Sequence, residues 1–244
     1  MQKIIKTTLC GLLFASVASA DMLRVEMGAG AWMQKPKGAI ADDNGLDGSD
    51  TSKEDSNTKG YAWVLFKHFV PVVPNLRLEY TEVENEGIAT GTFKDFPASN
   101  SASSFKMKQY DIIPYYNLLD NTMWITLDLG LDIKVLDAKY NITNAANSYD
   151  ISKTVALPLG YLRARVEIPT TDIGLEADVK YVKYSSNTAY DIRAKVDYTF
   201  DITPLIQPGI EIGYRVQKYK VDELSDIKVD LDFAGVYVGA MLRF

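Results

Sequence analysis

Residues 124–135 read WITLDLGLDIKV and carry the clearest structural signal in the chain. Every second residue from Ile125 onward is Ile, Leu or Val, while Asp128, Asp132 and Lys134 lie between them. A period of two places successive side chains on opposite faces of an extended chain. The stretch therefore predicts a β-strand with one apolar and one charged face.

Nine further segments repeat this pattern, most of them about ten residues long, which is the length of strand that crosses a bilayer at a tilt. They cover residues 23–33, 60–69, 75–84, 105–117, 156–168, 173–184, 188–200, 210–220 and 229–244. We therefore expect ten strands; eight or twelve remain possible because alternation is weaker around Gly60 and Ile210.

The connections between these segments alternate in kind. Short ones, often with proline, follow residues 69, 117, 168 and 200, whereas longer polar ones cover 34–59, 85–104, 136–155 and 221–228, with 185–187 as a tight exception. Short turns on one rim and long loops on the other are typical of a transmembrane, antiparallel, up-and-down β-barrel of the bacterial outer membrane. The predicted fold class is all-β.

The first twenty residues have the pattern of a signal peptide. Lys3 and Lys6 precede a short apolar run, which closes on small residues ending at Ala20. The run is shorter than the roughly 20 residues of a membrane anchor. We expect cleavage to remove residues 1–20, including Cys10, and to leave residues 21–244 as one barrel domain.

The last residues, GVYVGAMLRF, alternate up to Phe244. In a closed barrel the last strand pairs with the first, which would order this end. The segment resembles the small outer-membrane β-barrel proteins, whose final aromatic residue is recognised by the barrel-assembly machinery. Phe244, with Leu242 behind it, would carry that signal, although an aromatic residue is common at the position of Leu242.

Together with HFVPVVPNLRLEY, YYNLLDN and IEIGYR, this segment also resembles a family of such barrels from epsilonproteobacteria whose function is undefined. The resemblance implies contact with outer-membrane lipid and with the export and barrel-assembly machinery. The chain has 26 basic and 32 acidic side chains, a net charge of −6, so nucleic acid is a poor candidate partner.

Alternation alone does not say which face meets lipid, but side-chain size does. The apolar faces include Ala29, Ala164, Ala177 and Ala194, which are too small to fill a ten-stranded interior. We therefore expect the apolar face to meet lipid and the charged face to line the lumen. The lumen-lining candidates are Arg24, Glu26, Arg77, Glu79, Asp128, Asp132, Arg163, Arg165, Glu167, Glu176, Asp178, Arg193, Asp197, Glu211 and Arg215.

Two roles for this charged lumen stay open. It could be a network of salt bridges that fills a narrow barrel, or it could be a small channel in which rings of charge select ions. Aromatic residues near strand ends predict girdles at the two membrane interfaces, with core packing as the alternative. They are Tyr61, Trp63, Tyr80, Tyr110, Tyr116, Trp124, Tyr181, Tyr190, Tyr198 and Tyr214.

Enzymatic and metal chemistry find little support. The single histidine, His68, lies beside a predicted periplasmic turn, away from the outer rim where barrel enzymes place a catalytic histidine. Asp43, Asp47 and Glu54 have the spacing of a calcium loop, but a solvated acidic loop explains them as well. We predict no enzyme, no metal and no cofactor.

The sequence thus predicts a non-enzymatic outer-membrane barrel, which acts as a small or plugged channel or as a structural or surface-interaction protein. The alternative is a soluble periplasmic barrel that binds an apolar ligand.

Overall fold

The structure, a computed structural model, describes residues 23–42, 57–70, 72–89, 92–93, 96–98, 100–203, 205–222 and 227–244. Within these ranges ten strands form one closed antiparallel barrel, as predicted, and β4 and β5 form a separate small hairpin. The strands are β1 Arg24–Asp42, β2 Asn57–Lys67, β3 Asn75–Ala89, β4 Thr92–Phe93, β5 Phe96–Pro97, β6 Ser101–Thr122, β7 Ile125–Thr143, β8 Ser148–Glu167, β9 Ile173–Tyr184, β10 Asn187–Thr199, β11 Gln207–Val221 and β12 Ile227–Arg243.

The barrel closes between β1 and β12, which pair over their whole shared length. The register runs from Glu26 opposite Arg243 to Asp42 opposite Ile227. Beyond the strand, the Phe244 amide donates to the Val25 carbonyl at 2.9 Å. Because each strand has a partner on both sides, the sheet leaves no open edge along this seam.

An apolar belt covers the outside of the barrel. Outward-facing residues such as Leu129, Ile192 and Val238 are 43 to 49% exposed. Ala164, Ala177 and Ala194 also face outward, in one row across β8, β9 and β10. Apolar residues outside and charged residues inside are the arrangement that lipid favours, and the opposite of a soluble barrel.

The strands run further toward the loop end of the barrel than predicted. Residues 136–155 were expected to form a long polar loop, and this prediction was wrong: β7 continues to Thr143 and β8 starts at Ser148. Likewise, β1 extends through Asp42, and β6 begins at Ser101.

The physical reason is that the polarity of the alternation reverses along these strands. In the belt β7 points Leu131 outward and Asp132 inward, whereas beyond it Tyr140 and Ile142 point inward and Lys139 outward. Outside the bilayer a barrel meets water, so the apolar face turns to the interior. A search for one fixed apolar face therefore ends too early.

The interior at the loop end is largely apolar, and the β4–β5 hairpin packs into it. Phe93 of β4 is 1% exposed. Its ring centroid lies 5.4 Å from that of Tyr140 and 5.5 Å from that of Tyr149, both in edge-to-face geometry. The hairpin thus covers the inner wall that β7 and β8 form.

In the part of the chain that the structure describes, no helix has the length and apolarity needed to cross a membrane. The expected signal peptide and the calcium-loop residues Asp43, Asp47 and Glu54 lie outside the described residues.

Candidate functional site: the charged lumen

The structure places the side chains of all fifteen lumen-lining candidates in the interior of the barrel. Arg24 and Glu167, at the turn end, are half-buried, and the other thirteen are at most 6% exposed. They are positioned by the strict alternation of seven strands, each of which contributes at least two charges. The sequence therefore brings together, at the barrel axis, residues far apart in the chain.

One carboxylate near the middle of the lumen ties together three strands. Glu79 of β3 accepts hydrogen bonds from Arg77 Nε, Lys180 Nζ and Arg193 Nη2, each at 2.6 Å. Lys180 also donates to Asp111 Oδ2 at 2.6 Å. All five side chains are buried, so these charges are neutralised by one another rather than by water.

On the loop side of this cluster a second set of contacts crosses the lumen. Arg215 binds Asp191 through Nε at 2.9 Å and Nη2 at 2.6 Å. Gln217 donates to Asp191 at 2.8 Å and exchanges two hydrogen bonds with Gln109, of 2.9 and 3.0 Å, from the opposite wall. Tyr219 adds a donor to Gln109 at 3.1 Å. The amide pair forms a rung between β6 and β11.

On the turn side the network reaches the seam between the first and last strands. Arg165 binds Asp197 in a bidentate pair of 2.6 and 2.9 Å. Arg243 Nη2 donates to the same carboxylate at 3.1 Å, and its Nε lies 3.6 Å from Glu26. Sequence reasoning missed Arg243 as a lumen residue, although it shares the inward parity of Tyr237 and Met241 on β12.

Two aromatic residues belong to the lumen rather than to a girdle. Tyr61 and Trp63 are 7% and 3% exposed, so their predicted place at the interface was wrong. The Tyr61 hydroxyl donates to Glu211 at 2.7 Å and the Trp63 indole at 3.0 Å, while Lys195 lies 4.6 Å from the centroid of the Trp63 ring. These polar contacts explain why aromatic side chains face a charged interior.

The other predicted girdle residues face outward. Trp124, Tyr110, Tyr116, Tyr181 and Tyr214 are 45 to 55% exposed, and Tyr80, Tyr190 and Tyr198 also occupy outward positions.

Little space remains inside this part of the lumen. A cavity of about 10 Å³ is bounded by Trp32, Trp63, Glu211 and Tyr237, which is about the volume that holds one water molecule. Lys134, Lys180 and Asp191 are 0% exposed. At this level of the barrel, side chains therefore fill most of the lumen.

Asp132 differs from the other lumen carboxylates described above because it accepts no hydrogen bond within the described part of the chain. It is 0% exposed, and neither of its carboxylate oxygens accepts a hydrogen bond from a described residue. The Lys134 Nζ atom lies 3.9 Å from Asp132 Oδ2 and donates a hydrogen bond to Asp111 instead. A buried charge without donors is costly.

His68 lies at the turn end, as its position in the sequence suggested. Its Nε2 lies 3.1 Å from the Pro74 carbonyl, and the Val70 amide donates to its Nδ1 at 3.1 Å. Both ring nitrogens thus hold the turn between β2 and β3. Over the described ranges, no group of three or more His, Cys, Asp or Glu is placed to hold a metal ion.

Comparisons with known proteins find little sequence similarity. No protein-family model and no curated protein matches the chain. The attachment invasion locus protein Ail of Yersinia pestis is 12% identical, over 91% of this chain and 99% of its own, with a TM-score of 0.41. The translocator domain of the autotransporter NalP from Neisseria meningitidis is 12% identical, over 100% and 98%, with a TM-score of 0.46. The outer membrane protease OmpT from Escherichia coli is 9% identical, over 92% and 96%, with a TM-score of 0.42.

At these identities and TM-scores, function has to be argued from the residues of the chain itself. Its closed barrel hydrogen-bonds every strand on both sides, its outer belt is apolar, and its charges lie inside. Only helices and closed barrels satisfy their backbone groups in lipid. The chain is an integral β-barrel protein of the bacterial outer membrane.

Proposed function

We propose that this protein is a plugged, non-enzymatic outer-membrane barrel, which serves as a structural or surface-interaction protein rather than as an open channel. The observation that carries the proposal is the contact of Lys180 with both Glu79 and Asp111 at 2.6 Å, in side chains with 0 to 6% exposure. An ion crossing the lumen would have to break such buried pairs, which costs several kcal/mol for each uncompensated charge.

The outer part of the barrel supports the same conclusion. Beyond the charged network the interior is largely apolar, with Leu136, Ile142, Leu231 and Phe233 at 0 to 8% exposure, although Glu84, which pairs with Lys59 and Lys106, is also buried there. An ion gains little from such apolar walls in exchange for its hydration. The extended β7–β8 hairpin is then one part of the described barrel that can meet external partners.

We also propose that the protein has no enzymatic activity and that its last strand is recognised during assembly. We expect no catalytic activity, which the use of both His68 ring nitrogens in a turn supports. We expect membership of the epsilonproteobacterial barrel family on the segments quoted above, and recognition of Phe244 and Leu242 by the assembly machinery. Nucleic acid is not an expected partner of this acidic chain.

Single-channel recording in planar bilayers tests the proposal. The mature chain is refolded, its folding is verified by the heat-dependent shift on a gel, and a general porin is added afterwards to show that the bilayer responds. We expect no conductance steps from the folded protein. Reproducible steps whose ion selectivity changes with Arg163→Glu, but not with the outward-facing control Lys108→Glu, would contradict a plugged lumen and favour a small channel.

A further inference from the structure

Four lysines form a patch on the outside of the barrel near its loop end. Lys35 and Lys37 lie on β1, and Lys218 and Lys220 lie on β11, with β12 between these strands. All four occupy outward-facing positions. Lys37 and Lys218 both stand opposite Asp232 of β12, so their Cα atoms are about two strand spacings, roughly 10 Å, apart. We call these four residues the outer lysine patch.

The patch begins where the apolar belt ends. Met33, Val236 and Tyr214 lie in one row across the three strands and are 39 to 50% exposed. Lys35 is the next outward residue on β1, and Lys218 lies two outward positions beyond Tyr214 on β11. Lysine side chains at this height reach the headgroups with their ammonium groups while their stems lie against apolar surface.

The patch carries positive charge that the protein does not neutralise. Lys218 lies beyond the belt and forms ion pairs with both nearby carboxylates, at 3.1 Å from Asp230 and 3.0 Å from Asp232. The hydrogen bond to Asp232 raises the pKa of Lys218. Lys35 and Lys37 have no ion pair with a described residue. Lys220 also has no ion pair with a described residue, although it stands opposite Asp230 in the register. The patch thus sets four lysines against two aspartates of β12.

A second group of outward lysines, on β6 and β7, is balanced by carboxylates. Lys106 pairs with Glu84 at 2.6 Å, and Lys108 stands between Glu82 and Asp137 in the register. The outer lysine patch is therefore the group with an excess of positive charge.

The turn end of the belt looks different. Its outward strand positions hold Val25, Phe66, Leu76, Ile210 and Leu242. No outward position of a described strand holds a lysine or arginine at this end. The charge asymmetry of the protein thus matches the asymmetry of the bacterial outer membrane, whose outer leaflet is made of a glycolipid with phosphate groups at the interface.

We propose that the outer lysine patch binds the phosphate groups of the phosphorylated glycolipid of the outer leaflet. Its ammonium groups face the lipid side of the barrel at headgroup height, where lipid phosphates are the anions at highest concentration. Each lysine near an anionic surface adds to the attraction, which falls within a Debye length. The glycolipid would then fix the depth and rotation of the barrel at the β1–β12–β11 face.

Native mass spectrometry of the full refolded barrel in a zwitterionic detergent tests this proposal. The probes are diphosphorylated lipid A, the same lipid A after removal of its phosphates, and inorganic phosphate as competitor. The test variant is Lys35→Gln, Lys37→Gln and Lys220→Gln together. The matched control removes the same number of charges through Lys106→Gln, Lys108→Gln and Lys139→Gln.

We expect the wild-type barrel and the control to bind diphosphorylated lipid A with similar affinity, and the test variant to bind it at least about tenfold more weakly. Equal binding of the dephosphorylated lipid, or an equal loss in the control, would overturn the proposal. Displacement of the lipid by millimolar inorganic phosphate would mean that the patch is a site for free anions. A plugged lumen is tested by conductance alone, so either proposal can fail without the other.

Discussion

Arg163 and Asp128 stand directly opposite each other on β8 and β7, and the Arg163 Nη1 atom lies 2.7 Å from Asp128 Oδ2. Arg163 also donates to Glu176 at 2.6 Å from its other terminal nitrogen. Both carboxylates and the guanidinium are at most 4% exposed. One arginine of β8 thus links its strand to both neighbours, β7 and β9, and binds two buried negative charges.

Replacing Arg163 by Gln should strongly destabilise the barrel. Among the described residues, Asp128 would keep only the Asn117 amide as a hydrogen-bond donor, and Glu176 would lose its shortest ion pair. We expect a loss of about 3 to 5 kcal/mol in the free energy of unfolding, measured by urea titration of barrels in lipid vesicles. The outward-facing control Lys108→Gln should cost less than about 0.5 kcal/mol. Equal stability of Arg163→Gln and the wild type would show that water, not the protein, compensates these charges.

Neutralising Asp132 should not lower the stability of the barrel, whereas neutralising a paired lumen carboxylate should. Its oxygens have no donor among the described residues, so Asp132→Asn removes a poorly compensated charge at constant size. We expect no loss of stability, or a gain of about 1 kcal/mol. In the control Asp191→Asn, Arg215 loses its bidentate partner, with an expected cost of about 3 to 5 kcal/mol. Similar losses in both variants would contradict the distinction.

The sequence was sufficient for the barrel itself because a belt in lipid demands period-two alternation over about ten residues on every strand. It also identified the inward face, since Asp128, Asp132 and Lys134 share one parity. The strand ends could not be predicted because the polarity of the alternation reverses at the boundary with water. Val135 faces outward and Leu136 inward, and two apolar residues in succession resemble the end of a strand.

Individual partners in the lumen could not be predicted because they depend on register across the barrel. The contact of Tyr61 with Glu211 joins residues 150 positions apart, and the contact of Gln109 with Gln217 joins residues 108 apart. No local pattern encodes these distances. Tyr61 and Trp63 were assigned to a girdle because aromatic side chains in a barrel are typical of the membrane interface.

The boundary at which the polarity reverses predicts a pattern of chemical labelling in cells. Cys10 is the only cysteine, so Cys10→Ser gives a background for single cysteines. In intact cells a membrane-impermeant maleimide should label Asp230→Cys, on the loop end, and neither Val238→Cys in the belt nor Asp201→Cys at a turn. Permeabilising the outer membrane should add Asp201→Cys alone. Labelling of Asp201→Cys in intact cells would mean that the barrel has the opposite orientation.

Phe244 should matter for assembly more than for the stability of the finished barrel. Its backbone hydrogen bonds to Val25, of 2.9 and 3.3 Å, do not need the aromatic side chain, which is 48% exposed. Phe200, 42% exposed beside β10 at the same end of the barrel, serves as a matched control. Purified and refolded in detergent, Phe244→Ser and Phe200→Ser should each lose about 1 kcal/mol or less, since both side chains are only partly covered by protein.

In cells the two variants should differ. If the assembly machinery recognises the terminal aromatic residue, Phe244→Ser should leave little heat-modifiable barrel in the outer membrane, while Phe200→Ser should reach wild-type amounts. The comparison uses equal expression and a protease-deficient strain, so that slow assembly is not hidden by degradation. Equal amounts of both variants in the membrane would show that the closing strand, ordered by β1, is recognised without its last side chain.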